Sequence, residues 1–169
     1  MTRMVCLAAL VSVSLTLAGC GLQPMYAGGS HGTVARTLSG IEVGQIAGQQ
    51  GWLMRNALMD RLGATGHGAS KYRLDVLLDD QITGFGIRTN NTVTRERRTL
   101  RARFKLVDTS NQTVLLDTTA QSDAGIDVVT SEYAVIAAEQ TALERLSGEV
   151  ADQIVTRVAL FARQHPPSE

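Results

Sequence analysis

Aromatic residues are scarce: one Trp, three Tyr and three Phe in 169 residues. A nucleic-acid reader that stacks bases on ring faces draws on more rings than that. Neither charge is in excess, with 16 basic and 16 acidic side chains. The chain therefore lacks the basic surplus that grips a phosphate backbone, and no nucleic-acid partner is expected. Cysteine is limited to Cys6 and Cys20, too few for a zinc cluster or a disulfide framework. The histidines are isolated: His31 and His67 sit among glycines and His165 in a Pro-containing tail. No metal site and no cofactor is expected from these residues. After the first twenty residues no apolar run approaches the ~18 that cross a membrane as a helix.

What is present is a hydrophobic fraction of 44% against 19% charged. That excludes a disordered polyelectrolyte and a long coiled coil. A folded part of about 150 residues buries roughly 68–70% of its unfolded surface, enough for one core.

The start of the chain reads as an address. Arg3 supplies a short positive region, and Val5 to Ala18 is almost wholly apolar and small. At ~1.5 Å per residue that run covers roughly 21 Å, short of a ~30 Å hydrocarbon core, so it is a signal-peptide segment and not a span. It ends in Leu17-Ala18-Gly19-Cys20, which resembles the bacterial lipobox. Small residues before the thiol let that peptide enter a membrane-embedded peptidase. Residues 1–19 are then removed, and Cys20 becomes the lipidated first residue. The competing reading is an ordinary secretory signal cut near Ala18. Each buried methylene contributes ~0.8 kcal/mol, and two or three acyl chains anchor stably where one does not. The covalent lipid at Cys20 is the only non-protein group expected, and the mature domain keeps no free thiol. Gly21 follows the cysteine instead of Asp, which in lipoproteins resembles the pattern sorted to the outer membrane.

Residues 20–37 read as the lipidated cysteine and a Gly-rich tether, with Pro24 early. Leu38 to Ile46 carries Ile41, Val43 and Ile46 and reads as a first strand. Gln49 to Leu62 is helical, with Leu53, Ala57, Leu58, Arg61 and Leu62 on one stripe, Trp52 and Met59 beside it, and Gly63 as the terminating glycine. Gly66-His67-Gly68 follows a helix, so it is no phosphate cradle. Tyr72, Leu74, Val76, Leu78 and Ile82 alternate with polar residues, and so do Leu100, Ala102, Phe104 and Leu106. Val114, Leu116, Thr118 and Ala120 form the inner face of a further strand. Asn90-Asn91 and Asp108 to Gln112 are the intervening turns. Ser131 to about Ala162 is a long helix with Ser131 as its N-cap, Gly148 as a weak point and Pro166-Pro167 beyond its end. Its apolar stripe is Ile136, Leu143, Leu146, Val150, Ile154, Val158 and Phe161. The expected fold is α+β: a two-layer sandwich of one four-stranded, mostly antiparallel sheet with two helices on one face. The domain spans residues 38–163, followed by a tail at 164–169.

Arg95, Arg97, Arg98, Arg101, Arg103 and Lys105 crowd one strand. All but Arg98 share the face opposite the apolar one, because strand side chains alternate. Matching apolar faces across the first hairpin pairs Leu74 with Leu106 and Val76 with Phe104, setting Asp75 against Lys105 and Asp79 against Arg101. Pairing Leu106 with Val114 sets Asp117 against Arg103. Arg95, Arg97 and Arg98 then have only Glu96 nearby. They form an anion site, a solvated charge run, or a surface for an acidic protein. An arginine fork suits phosphate because it donates two parallel hydrogen bonds.

Cys20-Gly21-Leu22-Gln23-Pro24-Met25-Tyr26 after the lipobox resembles the mature start of the LptE family of lipopolysaccharide-assembly lipoproteins. Leu53-Met54-Arg55-Asn56-Ala57-Leu58, Tyr72-Arg73-Leu74, Thr94-Arg95, Tyr133-Ala134 and Val150-Ala151-Asp152-Gln153-Ile154 carry the resemblance through most of the domain. The stretch from Ala27 to Gly32 and the Gly66-His67-Gly68 loop depart from it. The resemblance implies a two-helix, four-strand sandwich at the outer membrane. It further implies a plug in the β-barrel LptD that assists barrel assembly and binds lipopolysaccharide; the basic strand read above, with Arg95, Arg97, Arg98, Arg101 and Arg103, suits the phosphates of that ligand. It implies no catalysis. Two other classes compete: an adaptor or pilotin-like outer-membrane lipoprotein, and a lipid-anchored cell-wall enzyme using Asp79 and Asp80. Adjacent strand residues point to opposite faces, so that pair cannot flank one scissile bond.

Overall fold

The structure is a computed structural model, and it describes residues 32–63, 70–87 and 93–165. The signal peptide, Cys20, His31, the Gly66-His67-Gly68 loop, the Asn90-Asn91 turn and Pro166-Pro167 lie outside the described residues.

In chain order the elements are α1 (Thr33–Ser39), β1 (Ile41–Val43), α2 (Gly48–Leu62), β2 (Tyr72–Ile87), β3 (Val93–Asp108), β4 (Val114–Asp127) and α3 (Glu132–Gln164). The sheet order is β1-β2-β3-β4. Strand β1 runs parallel to β2, and β2, β3 and β4 form an antiparallel meander. This is the expected α+β sandwich with a mostly antiparallel sheet, carrying three helices among the described residues instead of two.

The third helix is α1, in residues assigned from sequence to the tether and the first strand. Val34 and Leu38 are both buried in the core, so residues 33–39 pack as about two helical turns. The first strand is correspondingly short. Tyr72 N–H bonds to Gly40 O and Gly44 N–H to Leu74 O, which closes the β1–β2 ladder at both ends.

Helix α2 begins one residue earlier than expected and ends at Gly63, whose left-handed backbone (φ 64°) lets its N–H return to Met59 O. Its buried line is Gly51, Met54, Leu58 and Leu62, while Leu53, Ala57 and Met59 are only partly buried and Trp52 is 64% exposed. Gly51 explains the shift of the stripe. A Cβ there would stand 2.4 Å from Ile46 O, so only glycine lets this face close on the preceding backbone.

Helix α3 spans 33 residues, roughly 50 Å at 1.5 Å per residue. It passes through Gly148 without interruption. Ser131 occupies the N-cap position, yet its side chain makes no capping bond; the backbone carbonyl of Ser131 receives Ala134 N–H and Val135 N–H instead. Leu143, Leu146, Val150, Ile154 and Val158 are buried as the stripe requires, whereas Ile136 is exposed. The helix seats them on Leu74, Leu100, Phe104, Leu106, Ala120 and Ala124 of the sheet, in one cluster with α2. No helix among the described residues is long and apolar enough to cross a membrane.

The β2–β3 register is the one the apolar faces demand: Leu74 opposes Leu106, Val76 Phe104, Asp75 Lys105 and Asp79 Arg101. The β3–β4 register is not. An irregularity at Leu106/Val107 makes Leu106 oppose Leu116 and Val107 oppose Val114, so Asp117 stands across from Lys105 and Arg103 across from Thr119. Val114 is thereby left exposed. The turn at Asp108 is built as expected: Asp108 Oδ1 accepts from the Ser110 N–H (2.8 Å) and hydroxyl (2.5 Å). Those bonds, the hydroxyl first, hold the Asp108 carboxyl below the usual carboxylate range.

Candidate functional site

Strand β3 alternates up to the irregularity at Leu106/Val107, so its basic odd positions from Arg95 to Lys105 leave the core. Arg95, Arg97, Arg101, Arg103 and Lys105 are exposed in one column on the sheet face away from the helices. Their surroundings come from β2 on one side and β4 on the other. Arg103 donates two bonds of 2.9 Å to Asp117, a diagonal reach that the shifted register permits. Lys105 Nζ lies 3.8 Å from the same carboxylate. Arg103, through its hydrogen bonds before the bare charge, holds the Asp117 carboxyl below its ordinary value.

The hairpin end departs from the sequence reading. Arg95 bonds Asp127 Oδ1 at 2.9 Å. Arg97 Nε lies 3.8 Å from Asp123 Oδ2, and its guanidinium stands 5.5 Å over the Phe85 ring. These arginines are therefore not left with Glu96 alone; β4 brings Asp123 and Asp127 to them. Both acids were missed because their positions depend on the β3–β4 register.

Arg98 is on the other face. Its Nε and Nη2 donate to Asp80 Oδ1 (2.9 Å) and Oδ2 (2.5 Å), and its Nη1 donates to Glu139 O in α3 (2.8 Å). The two side chains are 11% and 13% exposed. The bond to Asp80 raises the Arg98 pKa against the opposing effect of burial. Arg98 thus ties the sheet to α3 and is not presented to a ligand. Asp80 takes the structural, core-facing place that alternation gives it, with exposed Asp79 on the opposite face.

Arg101 differs from its neighbours. Its Nε donates to Gln121 Oε1 at 3.2 Å, and among the described residues no carboxylate lies within ion-pair distance of it. Asp79, across from it in register, accepts instead from Gln81 Nε2 at 3.2 and 3.3 Å. Asp79, Gln81, Thr99 and Arg101 line one cleft on this face. Within this column, Arg101 and the weakly paired Arg97 are consequently the guanidinium groups with most donor capacity free for an incoming anion. Among the described residues no group of three or more His, Cys, Asp or Glu side chains could hold a metal ion.

One short stretch that carries the family resemblance, residues 150–154, has a mechanical role. Asp152 takes bonds of 2.5 and 3.1 Å from Arg61, joining α3 to α2, while its neighbour Gln153 donates to Gln121 O of β4 at 3.0 Å. Arg157, one turn later, donates to Thr119 O.

Comparison with known proteins agrees with this architecture. A lipoprotein from Caulobacter crescentus matches with a TM-score of 0.67 and 27% identity, over 81% of this chain and 100% of that one. A minor lipoprotein from Acinetobacter baumannii (TM-score 0.59, 14% identity, 76% and 95% of the two chains) has the same fold. So does the rare lipoprotein B of Shewanella oneidensis (TM-score 0.57, 10% identity, 73% and 96%). No curated protein matches the sequence. The family model for LptE, lipopolysaccharide assembly, matches residues 38–158, from the end of α1 to the last turns of α3. The chain belongs to the LptE family.

Proposed function

We propose that the protein is a lipoprotein held at the outer membrane by acyl chains on Cys20, where it seats in an LptD-like β-barrel, assists that barrel's assembly and binds lipopolysaccharide in transit. Family membership supports the outer-membrane, lipopolysaccharide-assembly role and a non-catalytic one. The observation that carries the binding step is the outward column of β3, where Arg101 has no acidic partner among the described residues and Arg97 only a long one. Arg95 and Arg103 join by exchanging their exposed carboxylate partners for a phosphate. Phosphate accepts the same forked donors and carries more charge than the carboxylate it displaces. Arg98 is outside this column, since it turns to the helix face, 11% exposed, and is held there by Asp80 and Glu139.

The test pairs two measurements on the lipidated protein extracted from its own outer membrane. It should co-purify with a β-barrel; recovery only as a free monomer would overturn the barrel assignment. The Arg97→Ala/Arg101→Ala double variant should bind lipopolysaccharide about tenfold more weakly, equivalent to ~1.4 kcal/mol. The loss should shrink as salt rises, because exposed charges are screened. Undiminished binding by the double variant removes the phosphate site from β3.

A further inference from the structure

The sheet has two outer edges, and they are finished differently. β4 forms one. Its odd residues turn their backbone groups away from β3, and two of the outward carbonyls are covered from α3: Thr119 O by Arg157 Nη1 and Gln121 O by Gln153 Nε2. Helix side chains placed on an edge deny it to other strands. The opposite edge is β2, and β1 covers only its first three residues, Tyr72 to Leu74. The bonds from Tyr72 N–H to Gly40 and from Gly44 to Leu74 O show that even-numbered β2 residues face that edge. The β2–β3 register runs without a slip from Tyr72 to Phe85. Hence the backbone groups of Val76, Leu78, Asp80, Ile82 and Gly84 point outward by the same alternation, and among the described residues no backbone partner meets them. The bare edge is about 26 Å long at ~3.3 Å per residue.

We propose that this edge of β2 receives an extended segment of another polypeptide as a fifth strand. Main-chain bonding supplies the affinity in such strand addition, and alternate side chains supply the selectivity. On the helix side the incoming strand lies beside Val76 and Leu78, partly buried against the core, and Ile82, 42% exposed. It therefore carries apolar residues at alternate positions. On the other face it lies beside Leu77, 73% exposed, and Asp79, which no cation pairs among the described residues. A lysine or arginine at that position completes the match. A second copy of the chain fits poorly. From Leu74 to Ile87 the strand holds Asp75, Asp79 and Asp80 and no basic residue, so edge-to-edge self-pairing offers Asp79 no cation and in several registers sets acid against acid.

The full-length protein in detergent, with amide exchange followed by NMR, tests this. In the free protein the N–H groups of Val76, Leu78, Ile82 and Gly84 should exchange fast while those of Leu77, Asp79 and Gln81, bonded to β3, exchange slowly. The probe is a nine-residue peptide of alternating Val and Thr with a central Lys. It should slow the even-numbered amides at least tenfold, leave the odd ones unchanged, and bind several-fold more weakly to Asp79→Asn. A twin peptide N-methylated on its bonding edge should not protect them. The proposal fails if the even amides are already protected in the free chain, if the peptide at 1 mM leaves them fast, or if the methylated twin protects equally. It also fails if raising the protein concentration alone protects them, which would assign the edge to a second copy.

Discussion

Arg98 and Asp80 show how one residue's place on a strand decides its work. Both occupy even positions, so both turn toward the helices, and neither could stay there unpaired. Their forked contact and the third bond to Glu139 O engage all three nitrogens of the guanidinium. Removing one partner strands the other charge out of water. Arg98→Ala should therefore destabilise the domain by about 3–5 kcal/mol, whereas replacing both partners with apolar residues of similar volume should recover most of that. Denaturant unfolding of the single and double variants checks it; a single variant within ~1 kcal/mol of wild type would mean that the pair is open to solvent. The exposed pairs behave differently. Arg61 holds the Asp152 carboxyl below its ordinary value, as Arg103 does for Asp117, in each case through hydrogen bonds first. A carboxylate depressed in the folded state contributes stability that is complete above its unfolded pKa of ~3.9 and is lost as pH falls through the lower folded value. Thermal stability should thus decline as acid is added below about pH 4. The Asp152→Asn/Asp117→Asn variant should show a shallower decline over the same interval; an identical slope would show that neither pair contributes.

At the scale of elements, α2 depends on a residue with no side chain. Gly51 faces inward with Ile46 O 2.4 Å from where a Cβ would stand, and backbone cannot swing aside as a long side chain can. Gly51→Ala should destabilise by about 1–3 kcal/mol through overpacking, despite alanine's better helix propensity. Calorimetry on that variant decides between the two effects, and a rise in Tm would reverse the assignment. The same glycine explains why the sequence stripe was displaced: helical spacing locates a face only to within one row, and Leu53 and Met54 are both apolar. Strand registers divide along similar lines. β2 and β3 have long alternating runs close together in the sequence, so a one-residue slip would expose every apolar side chain, and their pairing was legible. The β3–β4 pairing was not, because the irregularity at Leu106/Val107 inserts a shift that alternation on either strand does not record. The arginine column could accordingly be read from sequence, but its acidic partners Asp123 and Asp127 could not. Short apolar runs such as Leu38 to Ile46 suit helix and strand equally, and tertiary packing of Leu38 and Val34 settled the matter in favour of a helix followed by a three-residue strand.

For the whole molecule, the proposed lipid anchor at Cys20 and the folded domain can be tested apart. Every residue of the buried cluster lies between Val34 and Ala159, and the family match runs over 38–158. Cys20 precedes the first of these by fourteen positions, a stretch that at ~3.3–3.6 Å per residue reaches no more than about 50 Å. On the lipidation proposed for Cys20, membrane affinity comes from acyl methylenes at ~0.8 kcal/mol each, while burial of the apolar faces of the sheet and helices supplies the folding free energy of the described residues. A Cys20→Ser form should unfold at the same denaturant midpoint within ~0.5 kcal/mol, as a substitution away from packed features does. Yet it should leave the membrane pellet for the soluble fraction. If it stays in the pellet, something other than the lipid holds the protein there, and the barrel becomes the first place to look. If it loses stability as well, the lipidated segment packs on the domain and anchor and fold are coupled. Only the combination of unchanged unfolding and lost membrane retention matches a domain tethered by a lipid that takes no part in its core.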